Sequence, residues 1–141
     1  MPNKIISPEP LWQNTGLAIL RIIAGLLMTY HGWEVFDAVQ INEYAKWDSI
    51  KTLPQPLLMA YFGKGLELIT GILLTVGLLT RMAALFMAII MLFVCFKIGN
   101  GRFYYEDQHP FVFAMLAIVF FFTGPVKWSV DHLIFKSKGN D

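Results

Sequence analysis

Residues 57–98 read LLMAYFGKGLELITGILLTVGLLTRMAALFMAIIMLFVCFKI. This is two apolar runs, 57–79 and 82–98, joined by a turn built on Gly77 and Thr80-Arg81. A helix needs roughly 17–25 residues to cross a hydrocarbon core about 30 Å thick, so the first run qualifies easily and the second sits at the lower limit. So short a turn makes the two helices antiparallel neighbours. One carboxylate, Glu67, lies in the middle of the first run, with Lys64 three residues before it on the same helix face.

Working outward, residues 15–33 form another membrane-length run, within which LAILRIIAGLLMTYHGW carries Arg21. A fourth, 110–124, is short unless the flanking residues add a turn. Gly99-Asn100-Gly101 stops the third helix and Gly124-Pro125 ends the fourth. The expected fold is all-α: an integral membrane four-helix bundle forming a single domain over residues 1–141. Residues 34–56 mix aromatic and charged residues and read as one or two short helices at the membrane surface. Trp33 and Trp47 serve there as interfacial anchors. The KSKGND tail is polar and expected to be mobile.

Composition agrees. The chain of 141 residues is 56% hydrophobic and 15% charged, against roughly 25% charge in soluble domains, and its mean hydropathy is +0.55. A net charge of +1 gives no electrostatic case for nucleic acid. The one cysteine, Cys95, excludes an internal disulfide or a cysteine metal cluster, and reads as a small buried hydrophobe. The polar stretch SPEPLWQNT before the first run and the lack of an A-x-A site after it argue against a signal peptide, so the first helix is expected to stay in the mature protein. GKGLE has no strand before it and is no phosphate loop. With the amino terminus inside, Lys4, Arg81, Lys127, Lys136 and Lys138 face inward. Lys46, Lys51, Lys97 and Arg102 then face outward. The bias favours both termini in the cytoplasm of a bacterial inner membrane.

A charge inside a span costs about 2.5–3.5 kcal/mol on insertion scales and persists where it pairs or faces a polar cavity. Arg21 and Glu67 are therefore the leading site candidates. Counting from the expected helix ends sets them about one turn apart, within reach of a bidentate ion pair. Whether such a pair is a structural lock or part of a pocket stays open. Gly63, Glu67, Gly71 and Thr75 on one helix, and Arg21, Gly25, Met28 and Gly32 on the other, form small-residue stripes that would bring the charges into the bundle. Lys64, nearer the outer end, is expected to snorkel. His31 and His109 fall at one membrane face; two histidines can ligate haem, but nothing else here specifies haem. A polar rim is the better reading for His31 and an interfacial place for His109, while His132 lies beyond the last span. Glu67, His31 and Arg21 beside Tyr30, Trp33, Tyr61 and Phe62 suit a quinone, whose carbonyl oxygens accept hydrogen bonds and whose quinol form gives up protons.

The strings LRIIAGLLMTYHGWEVF, YFGKGLELITGILLTVGLLTRMAALFMAIIMLF and FTGPVKWSVD together resemble the DoxX family of small bacterial membrane proteins over residues 17–131. The middle string is the most specific, through Glu67, Gly71, Gly77, Leu78, Thr80, Arg81 and Ala84; Val126 stands where the family's closing motif usually has glycine. The resemblance implies a compact bundle of four membrane helices. Family members resemble a thiosulfate:quinone oxidoreductase subunit or are linked with oxidoreductase and oxidative-stress complexes, and eukaryotic relatives look like receptor-assembly chaperones. It marks Arg21, His31, Glu67 and Arg81 as site or core-lock positions. The function expected is a membrane subunit or accessory of a quinone-linked redox system, with Arg21, His31, Lys64 and Glu67 at the ligand and Glu67 and His31 as proton-handling groups. A partner protein and membrane lipid are its expected associates, and a homo-oligomer is compatible with it. The alternatives are a non-catalytic scaffold or assembly factor and, less favoured without an inverted repeat, a small-molecule carrier.

Overall fold

A computed structural model of the chain describes residues 7–137. Lys4, Lys138 and the last residues of the KSKGND tail lie outside the described residues. Among those described, every regular element is helical: α1 (Gln13–Gly32), a 3-10 turn (Trp33–Phe36), α2 (Ala38–Ala45), α3 (Asp48–Lys51), α4 (Pro56–Val76), α5 (Thr80–Phe93), α6 (Gln108–Thr123) and α7 (Val130–Ser137). Three stretches are long and apolar enough to cross a membrane: Gln13–Phe36, Pro56–Val76 and Thr80–Ile98. The third is not one uniform helix. Its last turn, Val94–Ile98, widens to π-helix before Gly99. The fourth apolar helix, α6, has 16 residues, about 24 Å of rise.

Of the seven α-helices described, the four apolar ones pack as two pairs. Helix α1 lies along α4, α5 along α6, and the α4–α5 contact joins the pairs, while α1 barely meets α6. The α1–α4 seam follows the small-residue stripes. A Cβ at Gly25 would come within 2.5 Å of the Thr75 backbone nitrogen, and Gly32 and Gly71 abut the backbones of Leu68 and Thr29. In lipid no hydrophobic drive joins helices, so this close approach supplies the packing. The stripe lapses at Gly63, which has no neighbour within 4 Å and opens onto a cavity described below. Alanines do the same work between α5 and α6, where Ala84, Ala88, Ala114 and Ala117 pack among Met87, Met91 and Phe120.

The segment after α1 folds as two short helices. Asp37 caps α2, its carboxylate accepting from the Val39 and Gln40 amides at 3.0 and 3.1 Å. Ile41 and Ile50 are buried, while Trp33, Phe36, Val39 and Trp47 are exposed. This outward aromatic face matches an interfacial position.

The α4–α5 turn is held from a distance. Gly77 has φ +71°, and a Cβ there would also strike Ser129 and Arg21 Nη1, so both the backbone and the space require glycine. Asp131, from the far end of the chain, accepts from the Leu79 and Thr80 amides at 2.8 and 2.7 Å, and its own amide donates to Gly77 O at 2.9 Å. Its carboxylate thus caps α5 from another element. Asp131→Ala is expected to lower stability by about 1–2 kcal/mol, read as a lower thermal midpoint of the detergent-solubilised protein; an unchanged midpoint would show that the turn holds without the cap.

Candidate functional site

The charged groups gather at two levels of α4, its middle and its C-terminal end. At its C-terminal end Arg21, fully buried, reaches across from α1. Its Nη1 donates to Leu74 O and, at 3.2 Å, to Thr75 O; its Nη2 donates to Trp128 O at 2.7 Å and Lys127 O at 3.5 Å. The last carbonyls of a helix have no partner within it. The planar guanidinium fork supplies donors to those of α4 with one nitrogen and to the 127–128 bend with the other.

The expected Arg21–Glu67 ion pair is therefore not formed. The α1–α4 register sets Gly32 against Glu67 and Leu68, and Arg21 against Gly77. Ten residues of α4 separate those levels, about 15 Å of rise, far beyond one helical turn. Arg21 also does not line the cavity described below, and its partners are backbone carbonyls.

Glu67 pairs with Lys64 instead, Nζ to Oε2 at 3.0 Å. Lys64 does not snorkel. Its side chain is only 16% exposed, because Nζ is also held by Glu34 Oε2 at 2.9 Å, 3.5 Å from the His31 carbonyl, and lies 5.1 Å from the centre of the Tyr44 ring. Tyr44 OH donates to the same Glu34 oxygen at 2.6 Å. Burial, and then this bond to a carboxylate, hold the Tyr44 phenol above its ordinary range. Four elements contribute: α1 through His31, the 3-10 turn through Glu34, α2 through Tyr44, and α4 through Lys64 and Glu67.

Beside this cluster is a cavity of about 440 Å³ between the start of α4, the end of α5 and the surface helices. Trp47, Phe62, Ile89, Phe93 and Val94 give it apolar and aromatic walls, and Lys64 and Glu67 are its charged groups. That volume falls within the roughly 300–1,000 Å³ of small-molecule sites, which combine apolar walls with a few polar groups. An aromatic slot with one carboxylate and one ammonium can hold a planar ring and exchange protons with it.

His31 does not line this cavity. Its ring meets His109 edge-on at a centroid separation of 5.2 Å, so the two histidines do lie together at one end of the bundle, and His109 also rests on Phe113 at 4.9 Å. Arg81 is exposed at the start of α5 and lies over Gly124, where a Cβ would come within 2.9 Å of its Nε. Glu34, Tyr44 and Asp131 are not among the site residues expected from the sequence. Glu34 follows His31 by three residues and so shares its face, a signal that was present; Tyr44 and Asp131 meet their partners through tertiary contacts alone.

The match to known proteins follows this geometry. The DoxX family model matches residues 16–100, which hold most of α1, all of α2 to α5 and the whole Glu34–Lys64–Glu67 cluster. The chain is 26% identical over 126 residues, 89% of its own length and 91% of the relative's, to a Bacillus subtilis (strain 168) protein named "Putative oxidoreductase CatD". No solved structure matches the chain. With three membrane-length apolar helices and a family match over more than half its residues, the chain is a membrane protein that belongs to the DoxX family.

Proposed function

We propose that this protein is the membrane subunit or accessory of a quinone-linked redox system and that the cavity beside Lys64 and Glu67 receives the quinone ring. The observation that carries the reading is a buried Lys–Glu pair on the wall of an otherwise apolar, aromatic cavity within the membrane-length helices. A charge pair is retained in such a place at a cost, and a ligand that accepts a hydrogen bond from Lys64 and a proton from Glu67 gives it a use. The name of the Bacillus subtilis relative supports a redox association. Reduction of a quinone to a quinol takes two electrons and two protons. In this reading a redox centre on a partner protein supplies the electrons and Glu67 delivers the protons.

The proposal places four spans in the inner membrane, α6 included, with both termini cytoplasmic. Helix α6 supports this: residues 110–122 contain no charged side chain, and Val112, Met115, Val119 and Phe122 are exposed apolar groups on the face away from its buried Phe113, Ala117 and Phe120. A helix apolar all round belongs in lipid.

The test begins with protein purified in mild detergent, extracted and assayed for quinone by mass spectrometry, then titrated with decyl-ubiquinone. The wild type is expected to carry quinone or to bind the probe saturably. Glu67→Gln removes one charge-assisted contact, about 1.5–3 kcal/mol, and should weaken binding roughly 10- to 100-fold while the fold survives. An empty protein that ignores added decyl-ubiquinone sinks the reading. It would favour the scaffold alternative, in which the exposed apolar face of Trp33, Phe36 and Val39 is where a client rests.

A further inference from the structure

Glu34, Lys64 and Glu67 form a continuous line from the surface to the cavity. Glu34 Oε2 and Glu67 Oε2 both contact Lys64 Nζ, at 2.9 and 3.0 Å. Exposure falls along it: the Glu34 side chain is 34% exposed, Lys64 16% and Glu67 10%. The wet end is outside the cavity lining, and the dry end is within it. A pure lock between α1 and α4 would need one carboxylate for one ammonium. The second carboxylate, held by Tyr44 at 2.6 Å in the same geometry, leaves the trio with one negative charge in excess, which is room for one proton.

We propose that this trio is a proton relay, with Glu34 as the port through which the cavity exchanges protons with water. The inference rests on the quinone reading above. Glu34 takes a proton from water. Lys64 receives that proton from Glu34 as it passes one of its own to Glu67, so that neutral Glu34, ammonium Lys64 and Glu67 carboxylate become Glu34 carboxylate, ammonium Lys64 and neutral Glu67. One O–H bond forms on Glu67 for the one broken on Glu34, and the lysine ends as it began. Glu67 then protonates the ring oxygen of the reduced quinone. Two passages, with two electrons from the partner's redox centre, complete one quinol, and oxidation of a quinol runs the line in reverse. The His31 carbonyl near Nζ and the Tyr44 hydroxyl on Glu34 are positioning groups: they hold Lys64 and Glu34 in line without carrying the proton.

The full chain in detergent is loaded with decyl-ubiquinone and reduced by a flash with a ruthenium photoreductant, and proton uptake from bulk water is followed with a pH dye. Glu34→Gln is expected to keep the wild-type affinity for decyl-ubiquinone and to slow proton uptake about 100-fold, the scale of a lost general acid–base group. Glu34→Asp, with the carboxylate one methylene further from Lys64, should recover part of the rate. Should Glu34→Gln fail to fold, Glu34→Asp slowed against wild type carries the same result. Wild-type uptake in a folded Glu34 variant with bound probe overturns the relay and leaves the quinone site standing. Absence of decyl-ubiquinone binding by the wild type overturns the quinone site and the relay with it.

Discussion

Arg21→Met is expected to lower the folding stability of this protein by about 3 kcal/mol. Methionine keeps the apolar stem and removes the guanidinium. The carbonyls of Leu74, Thr75 and Trp128 then lose their donor, the first of them buried and the other two partly so. Each buried acceptor left unpaired costs about 1–3 kcal/mol, and relaxation of the 127–128 segment recovers part of the sum. Arg21→Lys should restore less than half. One ammonium offers three donors from a single atom, whereas the acceptors lie on two sides of the fork and are reached by two different nitrogens. Thermal midpoints and the monodisperse fraction in size-exclusion chromatography check both variants. A methionine variant that melts with the wild type would show that the carbonyls find other donors.

Lys64→Met is expected to have an effect at least as large. It leaves the Glu34 and Glu67 carboxylates facing a common gap with no cation between them, and removing one partner of a buried pair costs about 3–5 kcal/mol. The informative variant is the double one. Adding Glu67→Gln to Lys64→Met removes the stranded charge and should recover stability, with a coupling energy of roughly 1–3 kcal/mol between the two positions. Arg21→Met combined with Glu67→Gln should instead be additive to within about 0.5 kcal/mol, as sites more than 7–10 Å apart are. Coupling in the second cycle and additivity in the first would reverse the assignment of partners made from the structure.

Much of the architecture is legible in the sequence, because apolar runs of membrane length declare themselves in a way that few other elements do. The turn between α4 and α5, the short helices after Trp33 and the break at Gly99 all follow from composition and punctuation. The two misplaced charges are legible as well, since Arg21 and Glu67 stand out in their runs. Their partners are not. Matching two helices by counting from estimated ends accumulates error, and the register is set by where Gly25, Gly32 and Gly71 let the backbones touch. For Arg21 the kind of partner is hidden as well. Backbone carbonyls at a helix end are strong acceptors, but they leave no mark in the side-chain pattern. Lys64 reads as a surface group because lysines near helix ends usually reach for water. Here Glu34 and Tyr44, brought over by the turn after α1, turn it inward.

The reach of Arg21 also bears on how the molecule comes to exist. Its nearest acceptors, Leu74 and Thr75, are made 53 and 54 residues later, and Trp128 107 residues later. At about 5–20 residues per second of synthesis, the first helix spends roughly 5–20 seconds at the ribosome before its charge can be fully satisfied. During that interval Arg21 must be sheltered by the insertion machinery or stay near the lipid headgroups. Asp131 arrives later still to cap α5. The segment around Trp128 is thus the keystone of a helix made 107 residues earlier, and a nascent chain stalled before Trp128 would present quality-control proteases with an arginine satisfied on one side of its fork alone.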